Sequence, residues 1–232
     1  MKNVLVTGIS KGLGKALTVH LINNDCRVFG LLRDIEQFKV FEESQREKII
    51  PIVADLNSDE CINIIQGIIN DTPIDLLINN AGIGGTSFEL KTASSLELFE
   101  LFQVHCVGAF RVTKSIIDNL LSATNPTVIN INSRLGSITE QSKGTFSHLH
   151  VSYSYRIAKA AQNMLTNCLK NEFRGRLKLY SVHPGRLITE LSQTDADLTV
   201  EVAAERIVAA WKQGDLKDDQ GIIELGSEKY NW

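Results

Sequence analysis

The sequence lacks the spacings that hold metals or form redox pairs. Its four cysteines, Cys26, Cys61, Cys106 and Cys168, lie far apart with no CxxC among them. That excludes a zinc ribbon or a thioredoxin-type pair, and they read as small buried hydrophobes in a reducing compartment. No apolar run approaches the length that spans a bilayer. There is no large excess of charge: a net charge of −3 gives no electrostatic ground for nucleic acid or an anionic membrane as partner. Linkers, repeats and low-complexity segments are missing too, so the 232 residues read as one domain, 1–232, large enough for a substantial core. Strand-like sequence from Asn3 onward leaves no room for a targeting peptide, and a cytoplasmic protein is expected.

What is present alternates. Apolar β-type runs at 3–7, 26–32, 48–54, 75–79, 127–131, 177–182 and 221–225 are separated by amphipathic stretches at 13–23, 35–46, 59–70, 94–121, 152–173 and 200–212. Continuous apolar strands between helices indicate a mostly parallel sheet covered on both faces. With right-handed crossovers this is an α/β, doubly wound, Rossmann-like sheet, with ligands expected at the carboxyl ends of its strands.

The first strand runs into Thr7-Gly8-Ile9-Ser10-Lys11-Gly12-Leu13-Gly14 and then into a helical pattern. Glycines there bring backbone N–H groups close to a pyrophosphate seated on the positive end of the helix dipole. The spacing GxxxGxG is neither the GxGxxG fingerprint nor a P-loop, but strand–turn–helix at the start of a βαβ series points to a dinucleotide. After the second strand stands Arg33, with Leu32 where an acidic residue would bind a ribose hydroxyl. A guanidinium there, with Lys11 in the turn, suits a 2′-phosphate, so NADP(H) is expected in preference to NAD(H). Asp34 weighs against this, and the alternative reading of Arg33 is an exposed Arg–Asp pair of little energetic value.

Tyr155 and Lys159 are four apart in YRIAK. On a helix they share a face, where a cation favours the phenolate and lets a tyrosine trade protons below its free pKa.

These residues resemble the short-chain dehydrogenase/reductase family along essentially the whole chain, with a finer likeness to its C-factor-like branch in SRLGSI, YSYRIAKAAQNM and the terminal Trp232. The resemblance implies cofactor contacts from Gly8, Ser10, Lys11, Gly12, Leu13 and Gly14. It implies adenine contacts from Asp55 and Leu56, and a nicotinamide pocket backed by Asn80, Ala81 and Gly82 in NNAG. Pro184, Gly185, Leu187 and Thr189 of HPGRLIT border the carboxamide. Ser133 then orients the substrate carbonyl, Tyr155 exchanges its proton, and Lys159 holds the nicotinamide ribose and lowers the tyrosine pKa. The substrate is expected to be a small carbonyl compound or alcohol.

Three departures stand out. His105 replaces the asparagine that supports a water relay in many members, and either relays protons itself or is structural. Ser133 and Tyr155 are 22 positions apart, and the extra segment around SKGTFSHLH is expected to form a loop at the pocket mouth, where His148 and His150 lack a third metal ligand. The segment Leu187–Leu198 is short, which implies an open pocket or one completed by a neighbouring subunit. Arg134, Phe146, Arg186 and Leu187 are the candidate pocket residues. Apolar positions on more than one face of 94–121 and 152–173 predict a homodimer or homotetramer. A cofactor-binding regulatory protein with little turnover is the alternative; a serine hydrolase on Ser133 fails because INSRL is not a GxSxG elbow.

Overall fold

Strands that are apolar at successive positions need cover on both sides, and the molecule supplies it. The computed structural model describes residues 1–188, 196–217, 222–225 and 229–231. Within these, β1 (Lys2–Thr7), β2 (Cys26–Leu32), β3 (Ile49–Val53), β4 (Leu76–Asn79), β5 (Thr127–Ile131), β6 (Lys178–His183), β7 (Ile222–Glu224) and β8 (Lys229–Tyr230) form one sheet. Its order is β3-β2-β1-β4-β5-β6-β7-β8; the first seven strands run parallel and β8 returns antiparallel. The helices are α1 (Gly12–Asn23), α2 (Glu43–Arg46), α3 (Glu60–Ile69), α4 (Ser95–Phe102), α5 (Gly108–Ser115), α6 (Ile117–Leu121), α7 (Ile138–Ser142), α8 (Tyr153–Glu172) and α9 (Val200–Gln213).

Side chains alternate between two cores, as the period of a strand requires. Val4, Val6, Val28 and Ile78 face one side, with Leu17 and Leu21 of α1 and Ile207 of α9. Leu5, Phe29, Leu77 and Val128 face the other, with Ile65 and Ile69 of α3 and Val112 of α5. Chain direction of the sheet's growth reverses between β1 and β4, whose carboxyl ends therefore open a crevice.

Two helical expectations need correction. The stretch 94–121 is not one helix: a π-helical segment, Gln103–Val107, separates α4 from α5, and Ile116 (φ −123°) breaks α5 from α6. The stretch 35–46 is a 3₁₀ helix, Ile35–Val40, followed by the single turn of α2. Asp34 caps that 3₁₀ helix by accepting from the Glu36 N–H at 2.9 Å. The strand predicted at 221–225 is β7 from Ile222 onward; Gly221 lies outside the described residues, as do Thr189 and Trp232.

Polar side chains buried behind the crevice join strands to helix. Asn79 donates to Asn130 (2.8 Å) and Thr113 (3.3 Å), and Asn130 donates to Thr166 of α8 (2.8 Å). Asn132 hydrogen-bonds Asn163 of α8, which accepts from Ser181 of β6 at 2.6 Å. Polar groups in a core stabilise only when paired, so these amides fix the axial position and rotation of α8 on the sheet.

Candidate active site

The crevice opens at the close of β1. Thr7, almost fully buried, receives the backbone N–H groups of Asn80 (3.0 Å) and Ala81 (2.9 Å) on its hydroxyl. Asn80 returns its amide to the carbonyls of Thr7 (2.9 Å) and Gly8 (3.2 Å). The packing leaves no space for a side chain at Gly8 or Gly14 of the turn. A Cβ on Gly14 would stand 2.0 Å from the Gly8 oxygen, and Gly8 itself has φ +71°. Helix α1 begins here with no side-chain cap and no acidic residue in its first turn, so its N-terminal N–H groups are left for an anion.

A cavity of about 960 Å³ extends from this turn, at the upper end of the range for ligand sites. Lys11, Arg33, Gln37 and Asp55 line one end, and Ser133, Tyr155 and Lys159 line the other. Arg33 is exposed and has no ion-pair partner among the described residues. Asp34 caps the 3₁₀ helix that follows, and it forms no ion pair with Arg33.

At the far end Ser152 caps α8 by accepting from the Tyr155 N–H at 3.1 Å, which sets where the turn carrying Tyr155 begins. Ser133 sits at the end of β5, its N–H held by the Asn132 side chain (2.7 Å) and its hydroxyl accepting from the Leu135 N–H (3.2 Å). One face of α8 then presents Tyr155 and Lys159, with the ammonium nitrogen 5.8 Å from the phenol ring centre. Lys159 is 4% exposed and donates to the Ile131 carbonyl (2.8 Å) and to Gln162 (3.0 Å).

The expected lowering of the tyrosine pKa by Lys159 is absent in the chain alone. Burial pushes the Tyr155 phenol up to about 12, against a hydrogen bond from Ser133 that pulls it down. Tyr155 is only half-buried by surface area, because it faces the open cavity. The same burial pushes Lys159 down to about 7, so the cation that would stabilise a phenolate is partly neutral at neutral pH. Desolvation outweighs the Tyr–Lys attraction here.

A strap over the cavity, residues 82–88, is tied down by one carboxylate. Glu97 of α4 accepts from the Thr86 N–H (2.9 Å), the Thr86 hydroxyl (2.7 Å) and the Ser154 hydroxyl (2.9 Å). His105 lines the cavity from the π-helical segment. Phe146, expected in the pocket, lies elsewhere: within an otherwise exposed 143–151 segment, Phe146, Leu149 and Val151 are buried in one cluster with Leu135 and Tyr230. Arg134, stacked 5.4 Å over the Phe146 ring, does line the cavity, as do His150, Arg186 and Leu187.

The family model for short chain dehydrogenase matches residues 2–198. The chain belongs to the short-chain dehydrogenase family. It is 30% identical over 127 residues to the C-signal of Myxococcus xanthus, covering 54% of this chain and 73% of that protein. It is 28% identical over 197 residues to the L-xylulose reductase of Caenorhabditis elegans, covering 83% and 74%. Its structure superposes on carbonyl reductase Sniffer of D. melanogaster with a TM-score of 0.85 at 27% identity, over 100% of both chains.

Of the sequence-predicted site residues, the cavity of this short-chain dehydrogenase brings together Gly8, Ser10, Lys11, Gly12, Leu13, Gly14, Arg33, Asp55, Leu56, Asn80, Ala81, Gly82, His105, Ser133, Tyr155, Lys159, Pro184, Gly185 and Leu187. Sequence reasoning missed Thr7, Glu97, Asn132, Gln162 and Asn163. Gln162 carried a signal, three positions after Lys159 on the same helical face. Asn130 and Asn132 carried another, as two amides on one side of an otherwise apolar strand.

Lys159 generates a stability prediction. Its folded pKa, about 7, lies below its ordinary value, so between those values the unfolded chain binds a proton that the folded chain does not. Stability of the cofactor-free protein therefore rises with pH from about 7 toward 10, by an amount on the order of a few kcal/mol. Below pH 7 the full penalty for burying the charge applies. In Lys159→Met, urea melts at pH 7, 8 and 9 are expected to lose that rise; an identical slope in both proteins contradicts the assignment.

Proposed function

We propose that this chain is an NADP(H)-dependent oxidoreductase that interconverts a carbonyl compound and its alcohol, with Tyr155 as proton donor and acceptor. The observation that carries the reading is a single cavity running from a glycine turn at an uncapped helix N-terminus to Ser133, Tyr155 and Lys159. The dehydrogenase family and the carbonyl reductase likeness support the reaction class.

The residues present suit the dinucleotide. The Gly8–Gly14 turn and the start of α1 would take the pyrophosphate, Asp55 and Leu56 the adenine, and Asn80 to Gly82 with Pro184 to Leu187 the nicotinamide. Thr189 would join the last group. The bound cofactor supplies or accepts the hydride. Ser133 would hold the substrate oxygen beside Tyr155, already hydrogen-bonded to it. A phenol held protonated by burial is an acid at neutral pH, ready to give its proton to that oxygen in reduction. Lys159, anchored on Ile131 and Gln162, would in its charged form have one N–H left for the ribose.

Ile83, Phe88, Leu135, Val151 and Ile188 also line the cavity, with Phe88 48% and Ile188 57% exposed. An apolar carbonyl compound would cover that surface. The alternative of a binding protein with little turnover draws on the C-signal likeness, since that name describes signalling and not reduction. Self-association has its own support: Leu96 (80%) and Phe99 (65%) of α4 and Met164 (60%) of α8 leave apolar surface exposed on two helices that pack together. A second copy of this chain would bury it.

Tyr155→Phe is expected to lower turnover of carbonyl compounds about 10²–10⁴-fold while NADPH binds as before. Wild-type protein that binds NADPH and reduces nothing in a broad panel of aldehydes, ketones and quinones would give the binding-protein reading the lead. For the cofactor, Arg33→Gln with Lys11→Gln is expected to weaken NADPH about tenfold or more and leave NADH unchanged; equal or tighter NADH binding in the wild type refutes the preference. Light scattering at micromolar concentration should give a dimer or tetramer mass, and a monomer refutes self-association.

A further inference from the structure

His105 occupies the π-helical segment Gln103–Val107, an irregularity of a kind that recurs at functional sites. Its ring is 2% exposed and is wedged between the strap and the catalytic helix. Nε2 lies 2.8 Å from the Ile83 carbonyl oxygen and 3.3 Å from the Ile83 nitrogen. One ring nitrogen cannot donate and accept at once, and the shorter contact assigns the proton to Nε2, donating to the carbonyl. Nδ1 is then a bare acceptor, buried without a hydrogen-bond partner. The Cε1–Nδ1 edge packs on Gly82, where a Cβ would come within 2.6 Å of Cε1 and 3.1 Å of Nδ1. On its other side the ring meets Tyr155 edge-on, with centres 5.5 Å apart and planes at 89°.

Such a group either carries a proton or holds the strap. A carrier must change protonation state and be linked through both nitrogens. Here the one donor is committed to a backbone carbonyl, and the other nitrogen is packed against Gly82 with no protein hydrogen-bond partner. The titratable neighbours are Tyr155 and Lys159, both from α8; burial first, and the Lys159 charge second, hold the imidazolium well below its usual range. We propose that His105 is a positioning residue, a neutral latch that fixes the strap at Ile83 and braces the Tyr155 ring, and that it does not carry the transferred proton. Asparagine could serve the same Ile83 groups, its amide donating to the carbonyl and its oxygen accepting from the N–H, whereas leucine serves neither.

The functional arm of the test rests on the NADP(H) reading; the spectroscopic arm does not. In ¹⁵N NMR of the histidine rings, with His105 assigned by its loss in His105→Asn, a neutral ring protonated on Nε2 is expected unchanged from pH 5 to 9. Titration inside that range, or a proton on Nδ1, overturns the proposal. In binding and turnover, His105→Leu should weaken NADPH at least tenfold, and His105→Asn should recover that affinity with the wild-type pH profile of kcat. A His105→Asn protein that binds NADPH normally but loses 100-fold in kcat makes His105 a proton carrier and defeats the latch, as does His105→Leu with unchanged affinity. If the wild type binds no NADPH and turns over no carbonyl compound, the proposed function fails, and the ring's tautomer and titration still decide the latch.

Discussion

Everything in the site depends on how closely the ends of β1 and β4 approach. One hydroxyl, that of Thr7, takes the N–H groups of Asn80 and Ala81, and Asn80 answers with its own amide on the Thr7 and Gly8 carbonyls. The two strands are thereby joined at the point where the sheet changes direction. With Gly14 against the Gly8 oxygen, α1 is brought down onto the turn and its free N–H groups face the crevice. Larger side chains at Gly8 or Gly14 would open this joint, and with it the cradle that a phosphate group needs.

The opposite wall depends on a different constraint, the pairing of buried amides. Asn79, Asn130, Asn132 and Asn163 make few contributions to hydrophobic packing, yet they set α8 on the sheet so that Tyr155 and Lys159 face the cavity. The same dry surroundings that make the amide contacts specific penalise charge on Lys159, and neighbouring protein atoms do so for Tyr155 although its ring faces the cavity. A protonated phenol and a readily neutralised amine follow from one cause. In this account the electrostatics of the site are set more by solvent exclusion than by the attraction between the two side chains.

Much of this was legible in the sequence. Strands 26–32 and 127–131 were readable to the residue, because apolar and β-branched runs bounded by polar residues have one plausible reading. The residues of the glycine turn and Ser133, Tyr155 and Lys159, singled out through a family resemblance, line one cavity, and what each does there is the proposal made above. The failures have physical causes. The interruption at Gln103–Val107 leaves the apolar period of 94–121 nearly intact, so periodicity could not expose it. Phe146 was misjudged because a loop residue can bury itself as well as a strand residue can, and nothing local distinguishes the two. Long-range contacts such as Thr7 with Asn80, or Glu97 with Ser154, join segments whose proximity only the fold determines.

The central claim is that hydride passes between a cofactor at the glycine turn and a carbonyl carbon held at Ser133 and Tyr155. Incubating the protein with NADPH deuterated at the transferable nicotinamide position and an apolar ketone, then analysing the product by mass spectrometry, tests it directly. The account predicts one deuterium on the carbinol carbon of the alcohol, with the hydroxyl proton drawn from solvent. NADPH binding without deuterium transfer to any carbonyl compound would contradict it.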